Sequence, residues 1–539
     1  MRWWDWVAAL GAVTAVAAGL VGLEHGRSGL DIQQRDLGET PATIVRPADL
    51  SADAPVPGTV VIAHGFAGSR RLMEPFAFTL ARAGYHVVSF DFIGHGEHPR
   101  QLPERIEGEE GAASALIAQL RDVVEAARAM VGDPDAPYAL LGHSMATDLL
   151  SRATAAGSPG QLAPEATIAV SLFSPEVTPT TPPNMLIITG GWEDGLTDEA
   201  LRVVRLAQAD LDEGATDGGP AASLEETVGR FEDGTARRAM FPEGVEHIGV
   251  LYDPEGLQAA RAWLDRVFDR PGADAEGAVG GDPAPVDARG PLLALVFFGM
   301  IAAARPLSFA LPRGAAGGTG AAAGWKLFAA LAILPALLTP LIVTQLPSGL
   351  LPIILGDYLA KHFLVYGLLT WAGLWLAARR GLVALPSIAG LSTVWSPMVV
   401  GALGVAAWTL VAFALTLERY AFSFLPTSGR AVLIPVFFLA FLPWFLADEW
   451  LTRGPGTRLL PYVLTKFCFV ISLGLAVAID PPRLFFLLIV APVILVFFAV
   501  YGVLSHWSMQ RCQQPLVAGG GIALALGWSV AVSFPLLGG

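Results

Sequence analysis

Nine apolar runs, each close to the length needed to cross a bilayer, constrain this chain more than any other feature. They lie at residues 3–23, 291–308, 326–345, 360–378, 394–416, 431–449, 461–479, 484–504 and 516–536. A hydrocarbon core offers no water to the peptide groups, so a run of about 20 apolar residues must close its hydrogen bonds within a helix. The expected architecture is an N-terminal transmembrane anchor at 1–24 and an all-α membrane domain of about eight transmembrane helices over 290–539. Only Arg2 precedes the first run within the chain, and no small-x-small cleavage site precedes Glu24, which reads as an uncleaved anchor.

The interval between them has the opposite character. From Glu24 to Gly290 there are 42 acidic and 20 basic residues, a formal charge of −22, while the rest of the chain carries 6 acidic and 14 basic. Such acidity argues against nucleic acid or anionic headgroups as partners of this part. The two cysteines, Cys468 and Cys512, belong to the apolar half, and no C-x-x-C or Cys/His cluster marks a metal site. Neither a metal nor an organic cofactor is therefore expected. With the N-terminus in the cytoplasm, nine loop Lys/Arg, among them Arg2, Arg379, Arg380 and Arg511, fall on the cytoplasmic side. Four fall opposite: Lys361, Arg419, Arg430 and Arg483. This bias predicts a multi-pass bacterial-type inner-membrane protein with the acidic unit on the periplasmic or extracytoplasmic side.

Short β-branched runs alternate with helical patterns through the acidic unit. Strands are expected at 59–63, 86–90, 166–173, 185–189 and 237–241, and at the run from Tyr138. Helices are expected near 115–131, 197–209 and 255–268. This alternation predicts a mainly parallel sheet with helices on both faces and functional loops at the carboxyl ends of the strands. Tyr138 to Leu150 reads as strand, tight turn and helix, with Gly142-His143-Ser144-Met145-Ala146 at the turn. That is the layout of a nucleophile elbow, in which small residues two before and two after the serine let the turn close.

The ordered motifs A-H-G-F-A-G-S from Ala63, F-D-F-I-G-H-G from Phe90, G-H-S-M-A from Gly142, I-T-G-G-W-E-D from Ile188 and V-E-H-I from Val245 resemble the α/β-hydrolase superfamily, in its lipase, esterase and serine-aminopeptidase-like members. The resemblance covers about residues 40–270, followed by a linker at 271–289; it does not extend to residues 290–539. It implies Ser144 as nucleophile, His247 as base and Asp194 as the acid. Glu193 and Asp198 are immediate rivals for the acid, and Glu176 follows the preceding strand. The oxyanion hole is expected from the backbone N–H groups of Phe66 and Met145. His64, Gly65, Gly142 and His143 are read as motif or pocket residues. The Gly/Ala/acid-rich stretch 210–233 reads as a surface insertion. The proline-rich link 174–183 is too short for a helical lid, so no large lid is expected.

These features point to a membrane-embedded serine hydrolase that cleaves a carboxylic ester of a lipid or acylated envelope molecule. Its partner would be a lipophilic or acylated small molecule. Acyl transfer or peptide cleavage with the same residues stays open. So does a transporter or receptor that uses the hydrolase fold as a binding module.

Overall fold

The computed structural model describes residues 3–50, 56–103, 111–211, 226–270, 286–314, 319–386, 388–454 and 458–538. Most of the stretch 210–233 and of the linker 271–289 lies outside these residues. The chain divides into two compact units, one of residues 1–19, 295–417 and 424–536, the other of 20–294, 418–423 and 537–539.

The second unit is built on an eight-stranded sheet ordered β1-β2-β4-β3-β5-β6-β7-β8. The strands are β1 (Leu30–Leu37), β2 (Thr40–Pro47), β3 (Thr59–Ala63), β4 (His86–Phe90), β5 (Tyr138–His143), β6 (Ala166–Val170), β7 (Met185–Ile188) and β8 (Arg237–Met240). β2 runs antiparallel to both β1 and β4, and all pairings from β4 to β8 are parallel. Parallel strands are covered on both faces, so they read as continuous apolar runs. Every residue of β3, β5, β6 and β7 is accordingly buried. The sheet is open, mostly parallel and α/β-hydrolase-like.

The sheet begins at Leu30, before the expected domain start at 40, because β1 carries no apolar run. β1 is an edge strand, L-D-I-Q-Q-R-D-L, with half its residues exposed, and its charges keep the free edge from pairing with other chains. It joins β2 through the two-residue loop Gly38-Glu39, where Gly38 takes φ 63°, as such hairpin loops require.

Helices cover the two faces. After α1 (Trp3–His25) come α2 (Glu74–Arg82), α3 (Ala112–Met130), α4 (Met145–Thr154), α5 (Asp194–Leu211) and α6 (Pro254–Val267). In α3, Leu116, Leu120, Val123, Val124 and Ala127 are buried, the spacing of a single apolar stripe. The link between β6 and β7 forms turns and bends with no helix.

Nine helices among the described residues are long and apolar enough to cross a membrane: Trp3–His25, Arg289–Ala310, Trp325–Val343, Gly356–Arg379, Pro397–Tyr420, Ser428–Thr452, Leu459–Ile479, Leu487–Cys512 and Leu516–Ser533. These helices suit a multi-pass membrane protein. Asp448 and Glu449 lie near the end of an apolar run, where the sequence suits interfacial anchoring or a loop, but both are interior. Lys466 is ion-paired with Asp448 and lies 3.8 Å from the Tyr462 ring centroid. Glu449 accepts from Tyr501 Oη and Ser505 Oγ, both at 2.6 Å. Asp448, Glu449 and Lys466 are all buried. A charge in such surroundings persists only when paired, and partners many positions apart in the chain leave no local pattern.

Candidate active site

Ser144 sits between the end of β5 and the start of α4 at φ 53° and ψ −119°. A non-glycine residue held at positive φ costs on the order of 1–3 kcal/mol and persists where the surroundings over-determine it. Two glycines make room for the turn. A methyl group on Gly142 would lie 2.7 Å from Leu150 Cδ1, and one on Gly65 would lie 2.9 Å from Ser144 Cβ. The elbow layout read from the sequence is therefore present, with the serine hydroxyl presented away from the strand.

His247 lies on the loop between β8 and α6, and its Nε2 is 2.9 Å from Ser144 Oγ. Its Nδ1 is 2.5 Å from Glu193 Oε1. The acid in contact with the imidazole is thus Glu193 and not Asp194. After β7 the chain folds back, with Glu193 N donating to Gly190 O. This turns the Glu193 side chain inward. Asp194 instead opens α5 and is exposed, as are Asp198 and Glu176. The other Glu193 oxygen, Oε2, accepts from Ser171 Oγ and from Gly190 N, each at 2.8 Å. With both oxygens occupied as acceptors, the carboxylate has one orientation, and His247 takes the tautomer that donates from Nδ1 and accepts at Nε2.

His143, the residue before Ser144, is buried, and its Nε2 donates to the His247 carbonyl at 3.0 Å. Burial first, and the nearby His247 second, hold its pKa well below the usual histidine range. His64 is buried with both ring nitrogens engaged: Nδ1 donates to Gly65 O at 2.8 Å and Nε2 accepts from Phe92 N at 3.1 Å. It ties the loop after β3 to the loop after β4. These two histidines brace the site and do not touch the serine hydroxyl through any ring hydrogen bond. Met145 begins α4, and Phe66 lies in the turn after Gly65. Gly65 packs directly against the elbow, next to Ser144 and His143.

The loop after β3 is fixed by a buried ion pair that sequence reading did not single out. Arg70 pairs with Asp91, whose Oδ1 also accepts from Arg70 N at 2.7 Å. Arg70 Nη2 reaches Glu97 at 2.8 Å. Removing Asp91 leaves the buried Arg70 with only the part-exposed Glu97 and strips the Arg70 and Glu97 N–H groups of their acceptor, so Asp91→Ala is expected to cost about 3 kcal/mol in a denaturant titration. A D91A protein as stable as the parent would refute this.

Acid lability follows from the buried histidines. Burial, and then the Arg46 charge, push His86 down to about 4, and burial likewise lowers His64, His98 and His143. Each folded pKa lies below its unfolded value. The stability involved is therefore intact above about pH 6.5, and it is lost as the pH falls through the folded values. His86 alone accounts for roughly 3 kcal/mol between about pH 6.5 and 4. Denaturant midpoints measured across that range are expected to fall, and His86→Gln should flatten the slope.

Among the described residues no group of three or more His, Cys, Asp or Glu is placed to hold a metal ion. Residues 54–189 match the family model described as serine aminopeptidase, S33. Among solved structures, the chain is similar to a dienelactone hydrolase from Anabaena variabilis at 16% identity, over 45% of this chain and 98% of that one, with a TM-score of 0.29. It is similar to XC6422 from Xanthomonas campestris, described as an α/β serine hydrolase without lid, at 17% identity over 45% and 95%, TM-score 0.28. A membrane phospholipase A described as a bacterial virulence factor is similar at 14% identity over 48% and 92%, TM-score 0.28. No curated protein matches the chain.

Proposed function

We propose that this chain, whose sheet unit is an α/β hydrolase of the serine-hydrolase and esterase-like kind, is a membrane-embedded serine hydrolase cleaving carboxylic esters of lipids or acylated envelope molecules. The observation that carries the reading is the continuous relay from Ser144 Oγ to His247 Nε2 at 2.9 Å and from His247 Nδ1 to Glu193 Oε1 at 2.5 Å. A serine hydroxyl is a poor nucleophile until a base within hydrogen-bond reach takes its proton. In the proposed reaction Ser144 Oγ attacks the ester carbonyl while its proton passes to His247 Nε2. Glu193 stabilises the imidazolium across Nδ1–H without itself taking the proton.

The negative charge that develops on the carbonyl oxygen would meet the backbone N–H groups of Met145 and Phe66, the expected oxyanion donors. His247 then protonates the departing alkoxide, leaving an acyl group on Ser144. Water, deprotonated by the same imidazole, attacks that acyl-enzyme; the acyl–Oγ bond breaks, His247 returns the proton to Ser144 Oγ, and the acid leaves. The bond from His143 to the His247 carbonyl supports a fixed position for the imidazole through both half-reactions. The loop-charge bias supports an inner-membrane location with this chemistry on the extracytoplasmic side.

The test is fluorophosphonate labelling of the full-length protein in membranes, with Ser144→Ala and His247→Ala beside it. Labelling of the parent that both substitutions abolish is the expected result. A folded parent that resists the reagent would overturn the proposal. Peptide cleavage is the second reading, favoured by the match of residues 54–189 to the S33 family model; parallel panels of acyl esters and N-terminally free peptides separate the two.

A further inference from the structure

Large apolar side chains in the hydrolase unit are buried or half-buried almost without exception. Among the described residues between 26 and 288, only two are more than a third exposed: Phe173 at 66% and Trp192 at 68%. One exposed aromatic on a surface needs no explanation. These two, however, both lie just beyond the carboxyl ends of sheet strands, and both are anchored to the candidate active site.

Phe173 N donates to Thr147 Oγ1 at 3.1 Å, and Thr147 lies on α4 three residues after Ser144. Trp192 N donates to Val245 O at 3.1 Å, two residues before His247, and Trp192 itself directly precedes Glu193. Ser171, two residues before Phe173, donates to Glu193 Oε2. Both aromatic loops therefore converge on one carboxylate of the site. Their backbones are fixed by these bonds while their rings face outward. Exposed acids lie on these loops, Glu176 after Phe173 and Asp194 after Trp192, and Glu243 and Glu246 flank the Val245 that accepts from Trp192 N, so an anionic group would be repelled there and an uncharged chain would not.

We propose that Phe173 and Trp192 form an apolar rim that binds the acyl chain of the ester, giving the enzyme a preference for long over short acyl groups. This rests on the hydrolase reading above and deepens it. A flat ring on a fixed backbone offers apolar area at little entropic cost, and a longer chain removes more surface from water on contact. An acetyl group has a single methyl to offer such a surface and gains little from it. Both residues are exposed, so their replacement should leave the fold intact.

The test uses the full-length protein in detergent with p-nitrophenyl acetate and p-nitrophenyl octanoate. Trp192→Ala and Phe173→Ala are each expected to lower kcat/KM for the octanoate about tenfold, chiefly through KM, with the acetate changed less than about twofold. Trp192→Phe should keep most of the preference. Equal losses on the two esters, or no loss on the octanoate, would overturn the rim. A changed oligomeric state with the chain-length preference intact would also overturn it and assign the rings to a contact between copies. A parent that hydrolyses neither ester and takes no fluorophosphonate overturns the hydrolase reading itself, and the rim with it.

Discussion

Ser144→Ala is expected to lower kcat on a soluble ester by about five to six orders of magnitude, while the protein stays folded. The substitution removes one atom, the Oγ that lies 2.9 Å from His247 Nε2. Without it no acyl-enzyme forms, and only the oxyanion donors and binding remain, which leave roughly 10³–10⁴-fold acceleration over water. His247→Ala should cost nearly as much, and the two losses should not add, because the residues act as one unit. Stability offers an independent check. Alanine at φ 53° is as strained as serine, so S144A should unfold close to the parent. Ser144→Gly relieves that strain and should unfold later, by about 1 kcal/mol or more, while being equally inactive. Measuring kcat and the denaturation midpoint on all three proteins separates loss of chemistry from loss of fold. Activity within tenfold of the parent in S144A would end the nucleophile assignment.

Those parts of the molecule governed by local pattern were legible in the sequence. The elbow around Ser144 needs a strand, two small residues and a helix in fixed order, and all of these are contiguous. The buried parallel strands announce themselves as short apolar runs, and the apolar helices as long ones. What escaped was set by packing between distant residues. β1 is a half-exposed edge strand, where nothing demands apolar residues, and the buried β2 beside it carries only a short apolar run at Ile44 and Val45; the Gly38-Glu39 loop was the hairpin's clearest local signal. Arg70 and Asp91 stand 21 positions apart, and their pairing depends on where the loops after β3 and β4 meet. The interior pairing of Asp448 with Lys466 depends likewise on which helix faces which. Exposure of Phe173 and Trp192 has no sequence signature at all, since an apolar residue in a loop reads the same whether covered or bare.

The acid of the site is the sharpest case, and it yields the second large effect. Glu193→Gln is expected to lower kcat by about 10³–10⁴, whereas Asp194→Asn should stay within about twofold of the parent. Adjacent acids are indistinguishable by motif position, and the structure separates them by direction: Glu193 turns in to His247, and Asp194 points to solvent at the start of α5. Glutamine keeps the shape but cannot satisfy the same neighbours. With its carbonyl facing His247 Nδ1–H, its amide group meets Gly190 N–H, donor against donor, where Glu193 Oε2 accepts at 2.8 Å. With the amide reversed, it donates to Nδ1 and drives the imidazole into the tautomer protonated at Nε2, which cannot take a proton from Ser144. Either arrangement also removes the charge that stabilises the imidazolium. Glu193→Asp retains the charge but shortens the reach by one methylene, and intermediate activity is expected. The decisive comparison is kcat of E193Q and D194N on one soluble ester, beside equal labelling controls. Should D194N fall as far as E193Q, or E193Q stay within tenfold of the parent, the relay from Ser144 through His247 would have to end on a different acid.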